Sequence, residues 1–201
     1  MSSAMQKLPR RAVLIGAGVL AGVAAAPVMS ATRAAADPSA ESATPNLDLL
    51  RRTFVLADEA RRGGGAPYGA LVADAGGKVI AEHRNTAWGD GGDPTQHAEL
   101  VATTEAWRAL GSDGMNQATL YASTEPCSMC AGASYWNGIG RVVYGLSNLR
   151  LFEFTGDDPA HTSFALSCRE ILCNGSRPIN VVGPLLEDEA ARSHEGYWPS
   201  R

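Results

Sequence analysis

The sequences His-Ala-Glu at residues 97–99 and Pro-Cys-Ser-Met-Cys at residues 126–130 decide how this 201-residue chain is interpreted. Together they supply one imidazole, one carboxylate and two thiols. Imidazole nitrogen and thiolate sulfur are donors that zinc prefers in proteins. The two stretches therefore predict a zinc site, and we expect the elements that carry them to meet in the fold.

The expected ligands are His97, Cys127 and Cys130. Three protein ligands leave a fourth position for water, as in catalytic zinc sites rather than structural ones. Zinc lowers the pKa of such a water to about 7, so hydroxide becomes available at neutral pH. Glu99 lies two residues after His97, and we expect it to carry protons from this water to a leaving nitrogen.

The order H-x-E followed by P-C-x-x-C is the signature of zinc-dependent nucleobase deaminases. A Cys-x-x-Cys pair by itself could also be a redox motif, a structural zinc knuckle or two buried thiols. Here every part of the signature is present in order, with Pro126 before the first cysteine. That combination favours a catalytic zinc site over the three alternatives.

The first 36 residues have the pattern of an export signal. Arg10 and Arg11 precede an apolar run that ends at Met29, and small residues follow up to Ala36. A charged region, an apolar region and a small-residue cleavage site define a secretory signal, and the paired arginines predict the twin-arginine route. The alternative, a membrane anchor, needs about 20 strongly apolar residues, whereas this run is rich in Ala and Gly and contains Pro27. We expect export to the periplasm, cell wall or medium, with no permanent membrane anchor.

The charge of the mature chain argues against a nucleic-acid partner. The full sequence has 17 basic and 21 acidic side chains, and residues 1–36 contain four of the basic ones and no acidic one, so a net charge near −8 would remain. A strongly acidic domain binds nucleic acid poorly, so we expect a small-molecule substrate. A linker rich in Pro, Ser, Ala and Thr at residues 37–46 would precede one domain at 47–198.

Helical and strand-like patterns alternate along that domain and predict an α/β fold. Helices are expected at residues 47–62, 97–110, 127–137 and 185–196, and strands at 68–73, 79–82, 120–124, 141–145 and 179–182. The first two strands flank a turn at 74–77 and predict a hairpin. Asp93 or Thr95 is a candidate cap for the helix that begins near His97. Short connections between these elements predict a three-layer α/β/α domain.

The remaining cysteines and histidines have no metal-like spacing. Cys168 and Cys173 could form a disulfide after export, or remain two free core thiols. For His83, His161 and His194 we expect surface positions or supporting roles behind the ligands.

Residues 93–99 (DPTQHAE) and 124–133 (TEPCSMCAGA) resemble the cytidine deaminase-like superfamily. Within it they are similar to the purine branch, the bacterial guanine deaminases and tRNA adenosine deaminases, and Tyr135-Trp136 and residues 141–145 (RVVYG) strengthen the likeness. The resemblance covers about residues 47–160, and the tail from 168 to 198 looks like that of certain bacterial guanine deaminases. It implies a five-stranded mixed sheet between helices, bound Zn²⁺ and a homodimer.

The resemblance also implies substrate-binding residues. Asn85 matches an asparagine that hydrogen-bonds the purine, Trp136 matches a pocket aromatic, and Ala98, within the zinc-site motif, is a third expected substrate-binding residue. Asn85 could instead be a turn residue after a strand. Trp136 could instead be part of the core of an amphipathic helix.

Guanine deaminases that resemble this chain carry a second acidic residue after the strand that follows the cysteine pair. Counting forward without gaps places Asp158 there, as a residue that binds the guanine ring and assists the proton shuttle. Asp157 and the more distant Glu153 are the competing positions. The sequence Gly-Asp-Asp-Pro at 156–159 could also be only a turn.

The expectation for function is therefore an exported zinc hydrolase that converts guanine, or a related aminated ring, to xanthine and ammonia. A tRNA adenosine deaminase is the nearest rival, but it would need a positive face for phosphates. A cytidine or deoxycytidylate deaminase fits the continuation after Cys130 less well. A non-catalytic zinc module would need a fourth ligand, and it would have no use for Glu99.

Overall fold

The computed structural model describes residues 44–87, 92–156, 164 and 166–198. Its helices are α1 Leu47–Arg62, α2 Ala98–Gln117, α3 Ser128–Trp136, α4 Asn148–Thr155, α5 Cys168–Cys173 and α6 Glu187–Ala191. Its strands are β1 Gly69–Ala73, β2 Val79–Arg84, β3 Thr119–Thr124, β4 Arg141–Leu146 and β5 Asn180–Val182. The predicted export signal, most of the linker, Asp157, Asp158 and His161 lie outside the described residues.

The five strands form one mixed sheet in the order β2-β1-β3-β4-β5. The pairs β1–β2 and β1–β3 are antiparallel, whereas β3–β4 and β4–β5 are parallel. This arrangement confirms the predicted α/β class and the five-stranded mixed sheet. The parallel part brings the ends of β3 and β4 to the same edge, where the cysteine motif begins.

Alternating strand residues build a core on each face of the sheet. Val72, Leu120 and Val142 pack on the side of α2, α3 and α5, while Leu71 and its neighbours pack on the side of α1. Successive side chains of a strand point to opposite faces, so a continuous apolar run such as β1 can serve both cores. The result is the three-layer α/β/α arrangement.

Helix α1 lies unusually close to β1. A Cβ atom on Gly69 would come within 2.4 Å of the carbonyl oxygen of Thr53 and 2.5 Å of the Cβ of Leu56. Since real side-chain carbons do not approach other atoms so closely, only glycine permits this contact between helix and sheet.

Several boundaries differ from those predicted. Helix α2 is interrupted at the non-helical Gly111, so its first stretch ends near Leu110 as predicted, but a second stretch that was not predicted continues to Gln117. Neither predicted cap is used: His97 is the N-cap residue, and Asp93 accepts hydrogen bonds from Thr95 instead. An Asp side chain bonds readily to the backbone two residues on, and this local turn competes with capping.

The last predicted helix is also much shorter in the structure. It is regular only over α6, because Leu186 has a left-handed φ of 53° and turns follow from residue 192. Two short helices, α4 and α5, were not predicted at all.

Among the described helices none combines the length and apolar character that crossing a bilayer requires.

The two remaining cysteines differ from each other. Both Cys168 and Cys173 are free, which excludes the disulfide in this structure. Cys168 is buried at the start of α5, but Cys173 is exposed at its end. The expectation of two core thiols therefore holds for one of them only.

Candidate active site

The three predicted ligands lie together at the starts of two helices. His97 is the N-cap of α2 and Cys127 is the N-cap of α3, with Cys130 one turn further on. The Nδ1 atom of His97 is 3.7 Å from the sulfur of Cys127 and 3.6 Å from that of Cys130. All three donor atoms lie within 4.8 Å of one another.

These distances fit a zinc ion. Zn–S and Zn–N bonds of about 2.3 and 2.05 Å at a tetrahedral angle place sulfur and nitrogen about 3.6 Å apart. The two nitrogen–sulfur distances in the cluster, 3.7 and 3.6 Å, match this value. One imidazole and two thiols leave a fourth tetrahedral position to be filled, which is the donor set of a catalytic centre.

The protein itself favours one thiolate in this cluster. A hydrogen bond from Cys130, with a further contribution from His97, lowers the pKa of Cys127 to about 4. The same bond, together with burial, raises the pKa of Cys130. Because zinc binds thiolates, metal uptake must release the second proton.

Glu99 lies in the first turn of α2, directly beside the ligands. Its side chain is 6% exposed, and its Oε2 is 3.7 Å from the sulfur of Cys130, which can donate a hydrogen bond to it. Burial, followed by the charge of Cys127, raises the pKa of Glu99 to about 7. A buried carboxyl in this position is suited to accept and return protons next to the metal.

Asn85 is buried directly after β2, and its side-chain oxygen has no hydrogen-bond partner among the described residues. It is 3% exposed, its backbone N–H donates to the carbonyl of Tyr68 over 2.9 Å, and its side-chain Oδ1 has no partner among the described residues. Buried acceptors are nearly always paired in folded proteins. An unpaired one is the kind of group that a ligand N–H can satisfy.

The other predicted substrate residues are placed less favourably. Ala98 is fully buried in the first turn of α2. Trp136 is 83% exposed at the end of α3, where its ring contacts that of Tyr135, so it is not core. Glu153 is exposed on α4 and pairs with Arg150, whereas Asp158 lies outside the described residues.

Two further residues at the site escaped sequence reasoning. Glu125 is buried beside the cysteine motif, and its carboxylate accepts the N–H groups of Asn148 and Cys168, which begin α4 and α5. Tyr68 precedes β1, and burial, with the charges of Glu99 and Cys127, raises its pKa. Two sequence signals could have identified these residues. Glu125 is an acidic residue directly before the Pro-Cys motif, and Tyr68 is an aromatic residue directly before Gly69.

The profile of the cytidine and deoxycytidylate deaminase zinc-binding region matches residues 44–146, which span α1 through β4. The chain belongs to this zinc-binding deaminase family. The match includes every residue of the cluster described above. Zinc is accordingly the cofactor of the domain, with His97, Cys127 and Cys130 available to hold it.

Similar proteins within the deaminase family have different substrates in their names. A probable cytosine deaminase of Schizosaccharomyces pombe is 39% identical over 80% of this chain and 96% of its own length. The guanine deaminase of Bacillus subtilis is 38% identical over 55% of this chain and 70% of its own. A solved structure of guanine deaminase from Nitrosomonas europaea, 22% identical, has the same fold, with a TM-score of 0.62 over 77% of this chain and 85% of that one.

Proposed function

We propose that the protein hydrolytically deaminates a free nucleobase, with guanine, converted to xanthine and ammonia, as the first candidate substrate. The observation that carries the proposal is Glu99, buried next to three zinc donors whose nitrogen–sulfur distances fit a tetrahedral zinc ion. A structural zinc site has four protein ligands and needs no acid. A catalytic one needs both the open position and the proton carrier.

The chemistry divides between the metal and the chain. Zinc held at this position lowers the pKa of water and so supplies a nucleophile at neutral pH. Glu99 would accept one proton from the attacking water and deliver it to a ring nitrogen, and it would then pass the second water proton to the amine, which leaves as ammonia. Burial keeps most of the Glu99 carboxyl away from bulk water, since its side chain is only 6% exposed.

Asn85 supplies recognition in this proposal. Its Oδ1, which has no partner within the described part of the chain, would accept a hydrogen bond from the ring, and guanine offers both an N–H and a 2-amino group. The hydrogen bond from the backbone N–H of Asn85 to the carbonyl of Tyr68 fixes the start of the loop. Leaving this acceptor unpaired in a complex would cost about 1–3 kcal/mol, so bases without a matching donor bind more weakly.

The other expected roles are proposals of the same kind. Trp136 can form a pocket wall only where a ligand or a second copy covers its exposed ring, and we propose a homodimer on the basis of the family resemblance. Asp158 is proposed as the second acid. Asp158→Asn should then depress guanine turnover and leave zinc content unchanged, while loss with Asp157→Asn alone would shift the assignment by one residue.

Cytosine is the second candidate substrate. The relative from Schizosaccharomyces pombe, which this chain covers almost from end to end, carries the name of a probable cytosine deaminase. A tRNA substrate is disfavoured by the acidic excess of the sequence, since counterion release at phosphates requires basic side chains.

The decisive experiment measures ammonia release by the zinc-loaded protein from guanine, adenine, cytosine, their nucleosides and aminated triazines. Glu99→Gln is the matched control, because it keeps the size of the side chain and all three ligands. We expect guanine turnover in the wild type and a loss of about 10²- to 10⁴-fold in the control. Turnover of cytosine alone would select the second candidate, and no turnover by a fully zinc-loaded protein would favour a non-catalytic zinc module.

We also propose export through the twin-arginine route. Changing Arg10 and Arg11 together to Lys should trap the protein inside the cell, because this signal is read by a receptor. Sequencing the mature N-terminus tests cleavage after Ala36, and continued export of the double variant would contradict the route.

A further inference from the structure

His194 is the most deeply buried histidine of the described residues, in a segment for which sequence analysis expected a surface or supporting position. Its side chain is fully buried. Its ring stacks on Trp198, with centroids 5.9 Å apart, and meets the rings of Tyr68 at 5.4 Å and Phe154 at 6.0 Å. The imidazole of His194 thus contacts Trp198 in the segment after α6, Tyr68 just before β1, and Phe154 in helix α4.

The hydrogen bonds of this ring define its tautomer. The indole N–H of Trp198 donates to Nδ1 of His194 over 3.2 Å. Trp can only donate, so Nδ1 is an acceptor and the proton of the neutral ring lies on Nε2. That Nε2–H faces the hydroxyl oxygen of Thr124 at 3.3 Å, which completes both bonding positions.

Two of the residues that contact the His194 ring, Thr124 and Tyr68, connect it to the active site. Thr124 is the last residue of β3, three positions before Cys127. Tyr68 lies close enough to the metal cluster for Glu99 and Cys127 to raise its pKa, and its carbonyl holds the backbone of Asn85.

The segment that presents His194 is itself anchored. The guanidinium of Arg61, at the end of α1, donates to the carbonyl oxygens of Ser193 at 2.9 Å and Glu195 at 2.8 Å. It also lies 6.0 Å from the ring centroid of Tyr197. These contacts fix the backbone on both sides of His194 and leave its ring little freedom.

We infer that His194 is a positioning residue for the substrate: with Trp198 it fixes the ring of Tyr68 and, through the Tyr68 backbone, the orientation of Asn85. The inference rests on the proposed function. Because the proposed contact of Asn85 is to the base rather than to the attacking oxygen, loss of positioning should weaken substrate binding in ground and transition states alike. Such uniform loss raises KM and leaves kcat nearly unchanged.

The test compares steady-state kinetics of zinc-loaded His194→Gln and Trp198→Phe with wild type, using whichever base the wild type deaminates fastest. Glutamine has an amide N–H for Thr124 but no acceptor at the position of the imidazole Nδ1, and phenylalanine retains an aromatic ring but not the indole N–H. Losing this hydrogen bond should raise KM by about three- to tenfold in each variant. The double variant should be no worse than the singles, because both break one network.

Zinc content and melting temperature separate positioning from a merely structural role. All assays are made well below the melting temperature of each variant, where the protein is fully folded. Tyr197→Phe, which keeps every ring of the segment, is the control and should have the wild-type KM. If His194→Gln does not fold, Trp198→Phe carries the test alone.

The outcomes are distinct. Wild-type KM in the variants, or a fall in kcat together with loss of zinc, overturns the positioning role. An inactive wild type instead overturns the proposed function, and with it this inference.

Discussion

Acid should destabilise this protein through His194. Burial, and to a smaller extent the charge of Arg61, lowers the pKa of His194 to about 3 from its ordinary 6.5. Of the groups that touch the ring from other elements, Thr124, Tyr68, Phe154 and Trp198 are all uncharged. No carboxylate is therefore among these contacts to stabilise the imidazolium.

The sign and size of the effect follow from proton linkage. Because the folded pKa lies below the unfolded one, the unfolded state binds more protons between the two values. The stabilisation is complete above pH 6.5 and is lost progressively as the pH falls toward 3. Each pH unit in this window is worth about 1.4 kcal/mol, so roughly 2 kcal/mol should be lost at pH 5. That is a large part of a typical stability of about 5–15 kcal/mol.

Urea denaturation at pH 7 and pH 5, with zinc in excess, measures this loss. Between these two values the wild type should lose about 2 kcal/mol more than His194→Gln, which has no group to titrate there. Effects of pH on the metal site are common to both proteins and cancel in the difference. His83→Gln, a change at a partly exposed histidine paired with Glu105, should retain the wild-type loss. Equal losses in the wild type and His194→Gln would refute the argument.

Three further outcomes concern the metal site and the packing. Cys127→Ala should lose bound zinc and melt at a lower temperature, since metal binding is coupled to folding, whereas Cys173→Ala should keep one zinc per chain by metal analysis. Glu99→Gln should bind zinc as tightly as wild type in the same analysis, so metal loss there would contradict its role as a proton carrier. Gly69→Ala should destabilise by about 1–3 kcal/mol in urea, because its Cβ meets α1. Gly132→Ala lies inside α3, and beyond its chain neighbours and the nearby helix backbone nothing described lies within 4 Å of the added carbon, so it should be neutral or stabilising by up to about 1 kcal/mol.

Sequence patterns predicted most of the sheet because strand and helix periodicities are local. The hairpin of β1 and β2, the helix that begins near His97 and the cysteine turn were all expected close to where they lie. Errors occurred where a short element depends on distant partners. Helices α4 and α5 are six to eight residues long, and their first N–H groups are bound by Glu125 from another part of the chain. No local periodicity encodes such a contact.

The sequence by itself identified the candidate metal donors and the residue that we propose as proton carrier. His97 and Glu99 share one helix start, and Cys127 and Cys130 share one turn, so the spacing already defines their relative positions. The tertiary structure alone decided what surrounds them. It buried His194 against Thr124, 70 positions away, and left the side-chain oxygen of Asn85 without a partner among the residues that the structure describes. Burial and hydrogen-bond satisfaction depend on which elements pack together, and that is a property of the folded chain rather than of any short stretch of it.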